Sequence, residues 1–402
     1  MIRWFLFILA VILIDFYAFQ AIKVVVKNNW IYYLYWGVNL LVLVNLLFWF
    51  YGLDRKDFSN SHSFAFGFFI TLLLPKLVIL TFMFGEDVFR LFQKGISFFS
   101  AETTPIPSRR RFVSQLALGI AAIPFASFLY GIYKGKYNFK VLKYTLEFED
   151  LPQAFDGYQI TQISDIHAGS FDNPEKVAYA INLINEQQSD ALLFTGDLVN
   201  NKAEEMKPYI TMFKKLKAKD GLFSILGNHD YGDYISWDTV EAKTKNLEDL
   251  KSLQKEIGFD LLLNENRFIE KNGERIAIIG VENWGTGGFK QAGDLKKASK
   301  NINQDDFKIL MTHDPSHWDA QVVNDDLHYH LTLSGHTHGM QFGIEIPGWI
   351  KWSPVQWRYK QWAGIYNKLG QYINVNRGFG YLAFPGRVGI WPEITVITLK
   401  KA

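Results

Sequence analysis

The sequence predicts a membrane-anchored α/β protein, an N-terminal bundle of about four transmembrane helices followed by one domain of alternating strands and helices. Apolar residues crowd the first third of the 402-residue chain, and from about Lys140 short apolar runs alternate with polar, helix-like stretches. Several of those runs end in a short motif of Asp, Asn, His and Gly, which gathers chemistry along one edge of the predicted sheet.

Trp30 to Leu53 and Phe112 to Tyr133 carry no charge, and each is long enough to cross ~30 Å of hydrocarbon. Residues 4–22 and 58–84 read as further spans, although Asp15 interrupts one and Pro75 with Lys76 the other. Asp15 and Lys76 either pair inside the bundle or sit near span ends and snorkel. His62 is expected at the membrane interface. The transmembrane region is thus residues 1–139, and the domain with the polar motifs is residues 140–402.

Between the third and fourth spans, Gly85 to Phe112 is mixed in charge. Its first half suits an amphipathic helix lying along the membrane, and Pro105 and Pro107 end any helix before Ser108. Arg109 to Arg111 favour the cytoplasmic side for this loop, which sends the following domain outward. The flanks balance, however. Lys23, Lys27, Arg90 and Lys94 join those arginines on one side, against Arg3, Arg55, Lys56, Lys134, Lys136, Lys140 and Lys143 on the other. "SRRRFV" also resembles the core of a twin-arginine export signal, but a plain basic flank on an anchor helix is the favoured reading, because export signals normally begin a chain. The expectation is an integral protein of a bacterial cell membrane with its domain outside.

Net charge is only +2 and the basic residues are spread along the chain, so nothing argues for nucleic acid. The chain has no cysteine, which removes disulfides, thiolate metal sites and thiol catalysis together.

In the second region, candidate strands are Tyr144 to Phe148, Tyr158 to Ser164, Ala191 to Thr195, Leu222 to Leu226 and Arg275 to Val281. Phe307 to Thr312, Tyr329 to Ser334, Tyr372 to Asn376 and Ile394 to Leu399 complete the set. Asn173 to Gln187, Lys202 to Lys217 and Thr239 to Ile257 read as helices between them. The motifs that follow strands are "SDIHAG", "GDLVN", "GNHDYG", "THDP" and "SGHTHG". Residues just past the carboxyl ends of strands meet in one crevice. They bring Asp165, His167, Asp197, Asn228, His229, Asp230, His313, His336 and His338. Oxygen and imidazole donors without thiolate suit Mn, Fe(II), Zn, Co or Mg, and the set is larger than one tetrahedral ion can use. Two divalent metal ions sharing a carboxylate fit it.

These residues carry a resemblance. From about Leu142 onward the chain resembles the calcineurin-like metallophosphoesterases, whose ordered motifs DxH, GDxx, GNH, a lone His and GHxH appear as Asp165–His167, Gly196–Asp197, Gly227–His229, His313 and Gly335–His338. The resemblance implies two β-sheets flanked by helices, and a dinuclear metal-dependent phosphoesterase. Asp165, His167 and His338 correspond to ligands of one metal, Asn228, His313 and His336 to those of the other, and Asp197 to the bridging carboxylate. It further implies in-line attack on phosphorus by water activated at the metals, with His229 stabilising or protonating the leaving oxygen. Asp230, next to His229, reads more readily as a surface carboxylate than as its partner.

Residues two apart in an extended stretch point the same way, so His336 and His338 are expected to reach one crevice while Thr337 faces away. Gly196, Gly227, Gly335 and Gly339 are placed for tight turns close to metal or phosphate. Many relatives close the last motif as GHTHGGQ; Met340 stands in place of the second glycine, which puts a close backbone contact to phosphate in question. His317, His328 and His330 are expected to be structural or exposed. "NWGTGG", Asn283 to Gly288, reads as a loop beside the site. Arg377 and Arg387 are candidate substrate-binding residues that would clamp a phosphate oxygen, with packing or ion pairing as the alternative.

Ile346 to Trp362 combines four tryptophans with basic residues, which is the composition either of a membrane interface or of an aromatic core around a bent loop. With membrane lipids as partners, the favoured substrate is a lipid or lipid-linked phosphodiester or pyrophosphate. Membrane-associated family members that act on UDP-diacylglucosamine in lipid A synthesis offer one such case, although that substrate is cytoplasmic. The alternatives are a phosphatase for soluble or protein phosphoesters, and a membrane scaffold with a vestigial metal site. The intact ligand set speaks against the scaffold.

Overall fold

The computed structural model describes residues 2–51, 59–97, 107–346 and 348–402. They form two compact units that divide between Tyr133 and Lys134.

The first unit consists of the helices α1 (Ile2–Val25), α2 (Asn29–Phe50), α3 (Asn60–Ser97) and α4 (Pro107–Tyr133). All four are long and apolar enough to cross a membrane. Leu53, Phe58 and the flanking Arg55 and Lys56 lie outside the described residues, as does Pro105. The amphipathic helix expected after the third span is instead the end of α3, which runs through Pro75 for ~57 Å at 1.5 Å per residue. Pro107 opens α4, a position where its missing N–H costs nothing. Between the helices, Lys76 bonds both Asp15 and Asn39, and all three are buried. The pairing alternative therefore holds, as desolvated charges require. Arg110 pairs with Asp87, which also accepts from the Tyr17 hydroxyl at 2.6 Å. His62 is buried against Trp49 and Phe50.

The second unit carries, in chain order, β1 (Lys140–Phe148), β2 (Gln159–Ile163), β3 (Ala191–Phe194), β4 (Gly221–Ser224), β5 (Asp260–Leu261), β6 (Glu265–Lys271) and β7 (Glu274–Gly280). There follow β8 (Phe307–Met311), β9 (Leu331–Ser334), β10 (Ile344–Ile346), β11 (Ile350–Trp352), β12 (Gly364–Lys368), β13 (Gln371–Val375) and β14 (Glu393–Lys401). One six-stranded sheet has the order β1-β14-β2-β3-β4-β5 and the other β12-β13-β9-β8-β7-β6, while β10 and β11 form a separate hairpin. The predicted strands are all present. Those that sequence reading missed are short or, like β6 with its Glu, Asn, Arg and Lys, too polar to alternate cleanly.

Strand alternation explains the packing. Leu193, Ile278, Ile309, Leu333 and Ile397 point between the sheets into one buried core. The intervening Leu192 and Phe194 face outward onto the helices Pro174–Asn185 and Val240–Ile257, and Ile279 and Leu310 face the opposite outer layer. The predicted helix over 202–217 is a 3₁₀ segment, Ala203–Tyr209, with one α turn after it, because Pro208 interrupts the ladder. Strands β2, β3, β4, β8 and β9 run parallel within their sheets and deliver their carboxyl ends to one edge of the sandwich.

Candidate metal centre

The five motifs do converge at that edge. Asp165, His167 and His338 bring one ligand atom each within 4.8 Å of one another, as do Asp165, Asp197 and His313. Nε2 of His338 lies 3.2 Å from Asp165 Oδ1, and Nε2 of His313 lies 3.1 Å from Asp197 Oδ2. His167 Nε2 is 3.6 Å from the same Asp197 oxygen. Asn228 and His336 complete the group, with Asn228 Oδ1 2.8 Å from His336 Nδ1.

The histidines are oriented by what their other ring nitrogens do. Nδ1 of His313 donates to the Thr195 carbonyl at 2.7 Å, Nδ1 of His167 to Asn200 Oδ1 at 3.0 Å, and Nδ1 of His229 to the Asn200 carbonyl at 2.8 Å. An imidazole that donates through Nδ1 keeps a lone pair on Nε2. His336 uses the opposite arrangement, with Nε2 on the Tyr359 hydroxyl at 2.8 Å and Nδ1 turned inward.

The backbone supports the same convergence at some cost. Asp165, His167, Asp197, His336 and His338 all have positive φ, between 48° and 70°, a left-handed conformation worth roughly 1–2 kcal/mol per non-glycine residue. His336 and His338 therefore do not share a face by lying in an extended stretch. They alternate with Thr337 at φ −76°, and Thr337 is held by its hydroxyl on the Trp362 carbonyl. Gly227 and Gly335 make room: a Cβ on Gly227 would collide with the Asp197 carboxylate, and one on Gly335 with that of Asp165.

Electrostatically, two buried carboxylates face a ring of imidazoles. Burial by itself raises Asp165 and Asp197, but the neighbouring histidines, His338 for the first and His313 for the second, outweigh it and hold both low. Burial lowers His336 to about 4, whereas the carboxylates of Asp197 and Asp165 overcome burial at His313 and lift it to about 10.

Divalent cations fit this donor set. Among the described residues no hydrogen bond meets the buried His313 Nε2, which has the Asp197 carboxylate as its neighbour at 3.1 Å, and the Nε2 atoms of His167 and His338 approach to 3.0 Å with the carboxylates close by. Oxygen and imidazole donors so arranged, with no thiolate, are those of borderline or hard divalent ions.

Three expectations change. Asp230 is fully buried and accepts backbone N–H bonds from Gly227, Asp197, Leu198 and Val199, because the turn after Gly227 carries it beneath the Asp197 loop. Arg377 is committed to Glu345 and Glu393. Arg387 is fully buried, donating to the carbonyls of Gly378 and Gly380, with its Nη2 3.3 Å from His338 Nδ1. Neither arginine lines the pocket, so their guanidinium groups hold the chain instead of facing a phosphate. His317 and His330 are buried structural residues, on Thr312 and Gln321 and on Asp150 respectively. The 283–288 loop lies beside the site and is tied to Asp314 through the Thr286 N–H.

Beside the cluster opens a pocket of about 680 Å³. Asp197, Asn228, His229 and His336 form its polar floor, and Met340, Val355, Trp357 and Leu382 its apolar wall. Arg358 reaches it as the one arginine or lysine among its lining residues. Tyr359, Arg358 and Phe289 were not singled out from sequence. The first two belong to the aromatic segment, whose local composition gave no register, and the ring of Phe289 stands 4.9 Å from that of His336.

Residues 158–340 match the family described as calcineurin-like phosphoesterase, and residues 2–136 match one described as a probable calcineurin-like phosphoesterase transmembrane domain. The chain is 31% identical over 299 residues to the uncharacterized metallophosphoesterase YkuE of Bacillus subtilis, covering 73% of this chain and 98% of that protein. An uncharacterized metallophosphoesterase of Helicobacter pylori (strain ATCC 700392 / 26695) is 25% identical over 398 residues, covering 98% of this chain and 97% of its own. A Danio rerio transmembrane protein with metallophosphoesterase domain is 25% identical over 283 residues, covering 68% of this chain and 60% of that one.

Proposed function

The chain belongs to the calcineurin-like metallophosphoesterases, and on that premise we propose that it hydrolyses a phosphodiester or pyrophosphate bond in a lipid or lipid-linked substrate. The observation that carries this reading is the pocket, whose polar lining includes Asp197, Asn228, His229, His336 and His338 and whose apolar lining includes Met340, Val355, Trp357 and Leu382. A site lined this way suits a substrate with a phosphoryl group at one end and an apolar part beside it.

Two divalent ions would be held by Asp165, His167 and His338 and by Asn228, His313 and His336, with Asp197 between the two sets. When bound, they supply Lewis-acid polarisation of the phosphoryl oxygens and make water nucleophilic near neutral pH. The chain's own residues do the rest. Asn200 and Thr195 fix the imidazole tautomers, so the ligand geometry precedes substrate binding. His229 lines the pocket with Nδ1 donated to the Asn200 carbonyl, so its Nε2 is the free ring position, and only the imidazolium formed when Nε2 takes up a second proton can give one to the leaving oxygen. Arg358 supplies the cation for a second anionic group of the substrate.

We propose that the catalytic domain lies outside the membrane, on the strength of the run Arg109 to Arg111 before the fourth span, since the basic flanks as a whole balance. A UDP-diacylglucosamine-type substrate goes with the opposite orientation. Purified protein supplied with Mn should hydrolyse a nitrophenyl phosphodiester, and Asp197→Ala should abolish this; unchanged turnover would sink the mechanism. A dual reporter fused after Ala402 decides the orientation, and activity of the reporter in the cytoplasm would reverse it.

A further inference from the structure

The hairpin of β10 and β11 has its faces reversed. Its register pairs Ile344 with Trp352, Glu345 with Lys351 and Ile346 with Ile350. Residues paired directly across antiparallel strands share a face, so the apolar residues lie on one side and Glu345 with Lys351 on the other. On β10 it is the charged residue that meets the domain while Ile344 and Ile346 are exposed; on β11 Ile350 and Trp352 are half-buried, and Lys351, itself exposed, reaches back to the domain through its amine. Glu345 accepts from Arg377 Nε at 2.9 Å, and Lys351 bonds the Ala363 carbonyl and rests over the rings of Trp362 and Tyr366. On a water-facing hairpin the apolar side packs on the core, and a register shift of one residue would exchange the faces. Here the buried guanidinium of Arg377, 4% exposed, pins the register that turns isoleucine outward.

The outward side is an apolar surface of some extent. Ile344 is 51% exposed, Trp349 at the tip 77%, and the adjoining Trp357 78%. Burying such side chains is worth ~25 cal/mol per Å², so leaving them in water forfeits stabilisation the fold could otherwise take. The segment is also charged in one sense. From Met340 to Trp362 the single acidic residue is Glu345, which is paired, whereas Arg358 and Lys360 are exposed. Tryptophan and isoleucine beside cations are the residues that partition into a headgroup layer.

We infer that the β10–β11 hairpin is a membrane-contacting element: its outward face, led by Trp349, enters the headgroup region of an anionic bilayer. The bilayer is the occupant because the same chain carries helices of membrane-spanning length, and because a basic, aromatic rim complements anionic lipid. The contact does not depend on which phosphoester is cleaved. One consequence does rest on the proposed lipid substrate: Trp357, whose ring neighbours that of Trp352 on the hairpin, also lines the pocket together with the exposed Met340, which gives a lipid phosphoester an apolar path from bilayer to site.

The absence of native cysteine allows a direct test in the full-length protein. Trp349→Cys and Val240→Cys, the latter 77% exposed on the helix Val240–Ile257, each give one site for an environment-sensitive fluorophore. In nanodiscs of phosphatidylcholine and phosphatidylglycerol that hold one copy each, the label at 349 should shift to the blue and be quenched by doxyl lipid, and the label at 240 should do neither. Equal access of aqueous iodide to both labels overturns the contact. So does shielding of the 349 label that appears in detergent and grows with protein concentration, which assigns the face to a second copy. In the double variant Ile344→Ser with Trp349→Ser, turnover of a soluble nitrophenyl phosphodiester should stay within about twofold, while turnover of a bilayer-embedded phosphodiester should fall about tenfold, equivalent to ~1.4 kcal/mol. Lipid quenching at 349 together with equal turnover losses for both esters would uphold the membrane contact and overturn the lipid substrate.

Discussion

Asp230 accepts the backbone N–H of Asp197 at 2.9 Å from beneath the loop that carries it, and bonds Gly227 with the same carboxylate oxygen. Burial and the nearby Asp197 carboxylate push its pKa up to about 7, while the backbone donors pull the other way. Asp230→Asn would present an amide N–H to backbone donors and disturb the Asp197 loop. The expected outcome is a ~10–100-fold loss of metal affinity, read by calorimetric titration of the purified protein with Mn. Unaltered affinity would show that the cradle is not required for the site.

His229 differs from the histidines of the cluster in leaving Nε2 to the pocket. His229→Gln should retain metal content by elemental analysis and lose ~10²–10⁴-fold in kcat. If the residue hands a proton to the leaving oxygen, the loss should be much smaller for a nitrophenyl ester than for an alkyl ester, since nitrophenolate leaves unprotonated. Equal losses would leave it with charge stabilisation alone.

A methyl group at Gly335 would meet the Ser164 hydroxyl first and the Asp165 carboxylate next. Gly335→Ala should displace Asp165 and weaken metal binding, with the far-ultraviolet circular dichroism unchanged. Full activity in this variant would mean that the loop relaxes freely.

Arg377 sits between Glu345 and Glu393 and away from the pocket. Arg377→Met leaves two carboxylates without their cation, and breaking a buried pair in this way costs ~3–5 kcal/mol. The variant should therefore melt earlier while its KM for a soluble phosphodiester stays within about twofold. A large rise in KM at unchanged stability would restore the substrate clamp that the sequence suggested.

His317 sets a pH dependence. It is fully buried, bonds Thr312 and Gln321, and stacks on Trp284, and burial lowers its pKa to about 4. The unfolded chain titrates near the ordinary ~6.5, so between those values the unfolded state binds more protons and stability rises with pH. Stability should thus be complete above ~6.5 and fall as pH drops towards ~4, by at most ~3 kcal/mol from this residue. Thermal melts of wild type and His317→Gln at several pH values check it; the variant should show the shallower slope.

How much was legible depends on where the information lies. The candidate site was readable because each of Asp165, His167, Asp197, Asn228, His229, His313, His336 and His338 follows a strand with a clear period, and the chemistry is carried by residue type. The spans were readable for a similar reason, since hydrophobic length is local. Arg377 was left open between a phosphate clamp and ion pairing, and Asp230 was placed at the surface, because an arginine or aspartate reads alike whether it faces solvent, substrate or a buried partner. Glu345 and Glu393 lie 32 and 16 residues from Arg377, and only the fold brings them together.

The "GHTHG" motif shows the division most clearly. Its sequence determined that two imidazoles would be presented at the end of β9, and it did so without any knowledge of the fold. Tertiary structure decided how, through left-handed turns at His336 and His338 that local propensity opposes and that surrounding hydrogen bonds enforce. The same holds for the hairpin: alternation in Ile344 to Ile346 determined that one face would be apolar, but only the position of Arg377 decided that this face would point away from the protein, because a buried charge must be met by its counter-ion.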